Sequence, residues 1–127
     1  MSIARTHLIL YVRDQDASAV FYRRVLGTEP LLDVPGMTEF ALSDGAVLGL
    51  MPEAGIARLL RWELLPDDPA ALRAELYLVV QDPGAIHARA LAAGARELSP
   101  LLPRDWGAEV AYSLAPDGYV LAFARNT

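Results

Sequence analysis

The sequence predicts an α+β fold built from two tandem strand–helix–three-strand (βαβββ) modules. Three observations carry this. A strand-like run, His7-Leu8-Ile9-Leu10-Tyr11-Val12-Arg13-Asp14, is answered 68 residues on, from His7 to Glu75, by Glu75-Leu76-Tyr77-Leu78-Val79-Val80-Gln81-Asp82. Each run leads into a helix-like segment closed by a glycine, Gly27 in the first copy and Gly94 in the second. Each copy then ends on an Asp-Gly turn, Asp44-Gly45 or Asp117-Gly118, that feeds a last apolar strand. A duplication inside one small chain implies a pseudo-twofold axis, with a concave seam between the copies where a small ligand can bind.

The elements follow in order. Arg5–Val12 alternates as a strand does, with His7, Ile9 and Tyr11 on one face and Leu8, Leu10 and Val12 on the other. The aliphatic face should pack on a helix. That helix starts near Asp16, with Asp14 or Asp16 accepting from a free N–H of its first turn, and Ala17, Val20, Phe21 and Val25 fall on one stripe. Gly27 ends it in the left-handed conformation. Strands follow near Pro30–Val34, Met37–Ser43 and Ala46–Met51, the last two joined across Asp44-Gly45. Pro52–Arg73 reads as a linker, and it carries Trp62 among leucines. The second copy repeats the plan: strand Ala74–Val80, helix Gly84–Ala93, a short strand Arg96–Leu98, a stiff loop Pro100–Trp106, and strands Ala108–Leu114 and Tyr119–Arg125.

The bulk numbers bound the function. At 127 residues and 54% apolar composition, one domain with a real core is expected over 1–127: module 1 about 1–51, linker 52–73, module 2 about 74–127. The absence of cysteine removes disulfides, thiolate nucleophiles and thiolate metal sites. A net charge of −5 argues against nucleic acid, which demands a basic face. No apolar run approaches the roughly 20 residues of a membrane helix, so no membrane partner is expected and a cytoplasmic location is the default. There is no phosphate-cradling glycine loop and no Gly-x-Ser-x-Gly.

The repeat, together with Phe21-Tyr22-Arg23-Arg24-Val25-Leu26-Gly27, Trp106-Gly107 and Pro116-Asp117-Gly118-Tyr119, resembles the glyoxalase/bleomycin-resistance/extradiol-dioxygenase group, the vicinal oxygen chelate superfamily. The resemblance implies that the modules form a curved mixed sheet with a concave cleft. It also implies four cleft positions that, in the family's enzymes, hold a divalent metal. On this chain they are His7, Gly49, Glu75 and Ala122. Glycine and alanine bring no donor atom, and one imidazole with one carboxylate is a poor catalytic metal site, since catalytic zinc usually keeps three protein ligands. No metal and no cofactor are therefore expected, with His7 and Glu75 as residual ligand positions. As a pair these two admit a structural, a ligand-orienting or an acid–base role. His87, on the second helix, reads as solvent-facing or internally satisfied.

Strand parity nominates the cleft lining. Tyr11 shares a face with His7, Tyr77 with Glu75, and Met51 flanks Gly49. The Asp44-Gly45 turn is expected to pair Phe40 with Gly49, and Asp117-Gly118 to pair Ser113 with Ala122. Trp106 matches the Trp-Gly of antibiotic-binding members and either stacks on a ligand or wedges its loop against the sheet. The function expected is a non-catalytic small-molecule binder of the bleomycin-resistance type, associated with antibiotic resistance, for an aromatic or partly cationic compound. The alternative is a metal-dependent glyoxalase-like lyase or dioxygenase. A homodimer is expected too, with Trp62 and the leucines of 59–65 at its interface.

Overall fold

The computed structural model describes residues 2–60, 72–116 and 118–127; the side chains of Val25 and Ala57 are not described. Trp62 and most of the expected interface segment lie outside the described residues. The strands are β1 (Ile3–Val12), β2 (Leu32–Val34), β3 (Met37–Ser43), β4 (Ala46–Pro52), β5 (Ala74–Val80), β6 (Arg96–Arg104), β7 (Ala108–Leu114) and β8 (Val120–Asn126). The helices are α1 (Gln15–Leu26), α2 (Glu53–Leu59) and α3 (Pro83–Ala92). No described helix is long and apolar enough to cross a membrane.

All eight strands join one curled, open sheet in the order β2-β3-β4-β1-β5-β8-β7-β6. Within each half the first and last strands run parallel, β1 with β4 and β5 with β8, while β1 and β5 meet antiparallel at the centre. There Leu8 lies opposite Leu76, its own repeat mate, so the pseudo-twofold axis passes through this pair.

The two long helices start alike. The Asp14 carboxylate accepts from Ala17 N–H at 3.0 Å, and Asp82, at the equivalent position, accepts from Ala85 N–H at 3.1 Å. These bonds satisfy donors that a helix leaves free at its first turn. Gly27 closes α1 at φ 68°.

The inward stripe of α1 differs from expectation. Val20 and Phe21 remain 49% and 57% exposed, while Ala19 and Tyr22 turn toward the sheet. The reason is Gln15, whose amide donates to Val34 O and Thr38 Oγ1 and accepts from Gly36 N–H. Gln15, Ala19 and Tyr22 share one face at i, i+4 and i+7, so the bonds of Gln15 set the roll of the whole helix. The resulting small core contains Ala19, Phe40, Leu48 and Leu50, flanked by Leu10, Val12 and Tyr22. Leu8 and Leu76, on the same face of the sheet, stay 49% and 44% exposed.

The linker is structured in part, since α2 occupies its start. The expected loop Pro100–Trp106 instead continues β6 as far as Arg104. An edge strand tolerates Pro100 and Pro103 because a missing N–H can face the open edge, and register shifts on either side of Ser99 absorb the irregularity.

Candidate functional site: the concave floor

The larger core lies on the opposite, concave face, with Ile9, Tyr11, Met37, Met51, Tyr77, Val110, Tyr112 and Ala122 among its buried members. Into this apolar surface the strands insert two carboxyl groups and an imidazole: His7 and Glu75 are each 2% exposed and Glu39 is 8% exposed.

His7 and Glu75 share this face but are diagonal neighbours. His7 is opposite Tyr77, and Glu75 is opposite Ile9. Each side chain takes a partner in a different direction. His7 Nδ1 faces Glu39 Oε2 at 3.5 Å, beyond good hydrogen-bonding distance, and its ring lies against Tyr77 with centroids 4.7 Å apart. Glu75 Oε2 accepts from the Tyr11 hydroxyl at 2.5 Å. Both ring nitrogens of His7, Glu75 Oε1 and the Tyr112 hydroxyl are buried without a hydrogen-bond partner.

The electrostatics follow from burial. Loss of water raises the Glu75 carboxyl from 4.5 to about 7, against opposing pulls from the Tyr11 hydroxyl and from Arg104. The Tyr11, Tyr77 and Tyr112 phenols are all held above their ordinary range, first by burial and then by the nearby acid. Arg104 sits with its guanidinium 5.1 Å from the centre of the Tyr112 ring. Its Nη2 donates to Ser99 Oγ and to the carbonyls of Val110 and Pro100, all neutral acceptors.

Above the floor is a cavity of about 230 Å³ lined by Pro35, Gly36, Met51, Gly55, Arg58, Leu59, Asp105 and Trp106. Trp106 links the two levels: it lines this cavity, and its indole N–H donates to the Tyr77 hydroxyl at 3.0 Å. That bond ties its turn to the sheet.

Two expected positions are corrected. Phe40 is opposite Leu48 and belongs to the core under α1; Glu39 is the residue opposite Gly49. The register shift between Ala41 and Ser43 inserts one residue, which moves every earlier side chain of β3 to the other face. Ser113 is likewise opposite Leu121, whereas Tyr112 is opposite Ala122. The connection there is 115–119, closed by Gly118 N–H to Ala115 O, in place of a two-residue turn. A third correction concerns space. A Cβ at Gly49 would lie 2.9 Å from Ile9 Cγ1 and 3.5 Å from Met37 Sδ, so this position is packed and does not enlarge the cleft. His87 is 7% exposed, faces Glu97 Oε2 at 3.1 Å and packs edge-on toward Phe123.

Sequence reasoning missed Glu39, Tyr112 and Arg104. Glu39 had left a signal: an acidic side chain two residues from Met37, and so on the same face of a strand.

The residues present do not fit a divalent metal. Gly49 and Ala122 offer no donor, Ile9 fills the space at Gly49, and His7 and Glu75 turn to separate partners. Among the described residues no three His, Cys, Asp or Glu side chains converge on one point.

Comparison with known proteins supplies the family. The model of the Glyoxalase/Bleomycin resistance protein/Dioxygenase superfamily matches residues 5–123. No curated protein matches the sequence. Among solved structures, the chain is similar to a superfamily member from Vibrio splendidus 12B01, with 20% identity, TM-score 0.65, and 96% of this chain and 98% of that chain covered. It is also similar to a protein described as NAD-dependent benzaldehyde dehydrogenase from Legionella pneumophila, with 21% identity, TM-score 0.71, and coverage of 96% and 99%. A third is Streptomyces coelicolor methylmalonyl-CoA epimerase in complex with 2-nitronate-propionyl-CoA, with 18% identity, TM-score 0.68, and coverage of 99% and 96%. At these identities the likeness is one of fold.

Proposed function

We propose that this chain, which belongs to the Glyoxalase/Bleomycin resistance protein/Dioxygenase superfamily, binds a small organic molecule in its concave cleft without a metal ion. One observation carries the reading: the buried, unpartnered atoms of His7, Glu75 and Tyr112 on one face of the sheet. A protein rarely buries polar atoms without partners, and such a cluster is ready to be satisfied by a ligand's polar groups. His7, Tyr11, Glu75, Tyr77 and Tyr112 form the floor, and Met51 and Trp106 receive the ligand's flatter, apolar part. Gly49 and Ala122 act by carrying no donor. The protein works in the cytoplasm as a homodimer, for which the exposed Leu8, Leu76 and Tyr119 are available. In its host it sequesters an aromatic compound, as a bleomycin-resistance protein does.

A catalytic reading draws on the burial of Glu75, which raises its carboxyl to about 7 and suits a group that exchanges protons near neutrality. The epimerase among the structural neighbours has a similar fold.

The test is a screen of soluble aromatic compounds by thermal shift, paired with elemental analysis of protein purified without chelators. Stabilising hits abolished by Tyr112→Leu in a folded variant support a metal-free cleft. Stoichiometric zinc, nickel, iron or manganese lost on His7→Ala would overturn it.

A further inference from the structure

Resting on that reading of the cleft, we propose that its floor is an ammonium site: an organic amine, primary or quaternary, on an apolar or aromatic body seats its charged head against the free oxygen of Glu75 and the rings of Tyr11, Tyr77 and Tyr112.

Glu75 and Glu39 are both buried, and among the described residues neither has an arginine as a hydrogen-bond or ion-pair partner. Glu75 is held at one oxygen by a neutral phenol, and its other oxygen is free. Among the described residues, the ion-pair contact of Glu39 is the imidazole of His7 at 3.5 Å. Arg104 acts on Glu75 from a distance but gives its Nη2 hydrogen bonds to neutral oxygens. A buried carboxyl in this position either keeps its proton or meets a cation.

Tyr11 comes from β1, Tyr77 from β5 and Tyr112 from β7, and all three are buried, at 1%, 1% and 0% exposure. Aromatic faces attract a cation through their negative quadrupole, most strongly where water is excluded. Tyr112 already holds one cation this way on the side of Arg104. The groups that surround Glu75 are therefore Tyr11, Tyr77, Tyr112 and Arg104, with the His7–Glu39 pair across the axis. An ammonium head satisfies the free oxygen and supplies the missing positive charge. Its apolar body extends past Tyr77 and Trp106 toward the cavity lined by Met51, Leu59 and Pro35.

Benzyltrimethylammonium and its uncharged isostere neopentylbenzene separate charge from shape. Binding to the full-length protein is followed by calorimetry and by ligand-observed NMR. The cation is expected to bind about tenfold tighter or more than the isostere, the margin of a desolvated cation–π and ionic contact. Glu75→Gln should remove the margin, bringing the cation down to the affinity of neopentylbenzene. Glu109→Gln, at a surface ion pair with Arg125, serves as the control and should change neither. Near-UV circular dichroism confirms that each variant is folded. Equal affinity for the two probes, or a margin that survives Glu75→Gln, overturns the ammonium site. Binding of neopentylbenzene alone overturns it and leaves the small-molecule cleft standing. Binding of neither probe overturns it as well, and the aromatic screen then decides the fate of the cleft on its own.

Discussion

Glu75→Gln gives the most direct measure of what the concave floor costs the fold. Burial raises the Glu75 carboxyl from 4.5 to about 7. Between these two pH values the folded chain keeps a proton that the unfolded chain has released. Folding stability associated with Glu75 is thus fully present below about pH 4.5, falls as pH rises, and levels off above about pH 7. The gap converts, at 1.36 kcal/mol per pH unit, to about 3 kcal/mol. Glutamine has no proton to lose, and its side-chain oxygen can still accept from Tyr11. Urea unfolding of both proteins from pH 4 to pH 8.5 isolates this one group, since every other ionisable residue is common to the two. The difference, variant minus wild type, should climb by about 3 kcal/mol across that window in favour of the variant. A difference that stays flat with pH would refute the reasoning, because it would mean that Glu75 titrates alike in the folded and unfolded chains.

Other expectations rest on single contacts. Tyr11→Phe removes the hydrogen bond that opposes burial, so the Glu75 transition in the same experiment should move to higher pH; no movement would mean that the bond does not form in solution. Gly49→Ala should cost about 1–3 kcal/mol through the approach to Ile9, and the cost should vanish in an Ile9→Ala background. An equal cost in both backgrounds would show that Ile9 does not fill that space. Gln15→Ala removes three hydrogen bonds from the turn between β2 and β3 and should lower stability by about 1–2 kcal/mol. It should also speed hydrogen exchange at the Gly36 amide, whose acceptor is lost; unchanged Gly36 protection would count against the clamp.

The fold was legible because repeats and turns are local. The runs beginning at His7 and Glu75 needed no tertiary information, and β3, β5 and β7 lie where alternation puts them. Faces were legible only where no residue is inserted. At Asp44-Gly45 and again at Asp117-Gly118, counting outward from a two-residue turn gave pairings one residue off. Phe40 was exchanged for Glu39 and Ser113 for Tyr112 in this way. A bulge at residue 42 and a five-residue connection are decisions of packing and hydrogen bonding that no dipeptide announces. The roll of α1 was hidden for a similar reason, since it is fixed by Gln15 reaching to Val34, Gly36 and Thr38 across the tertiary structure.

The corrected register shows how the two halves build one floor. Gly49 and Ala122 are equivalent, each on the last strand of its module, and each is opposite a polar residue one strand further out: Glu39 on β3 and Tyr112 on β7. Adjacent strands are about 4.8 Å apart. Each half therefore carries its polar group about that distance outward from Gly49 or Ala122. The effect is symmetric about the axis through Leu8 and Leu76. It sets Glu39 and Tyr112 on opposite flanks, with His7, Tyr77 and Glu75 between them. A single metal ion needs donors within about 2.0–2.6 Å, a reach this spread does not offer. The organic ligand proposed above spans several strands and touches these groups at once, and that difference in size is what favours, on that reading, a ligand with a body over a single ion.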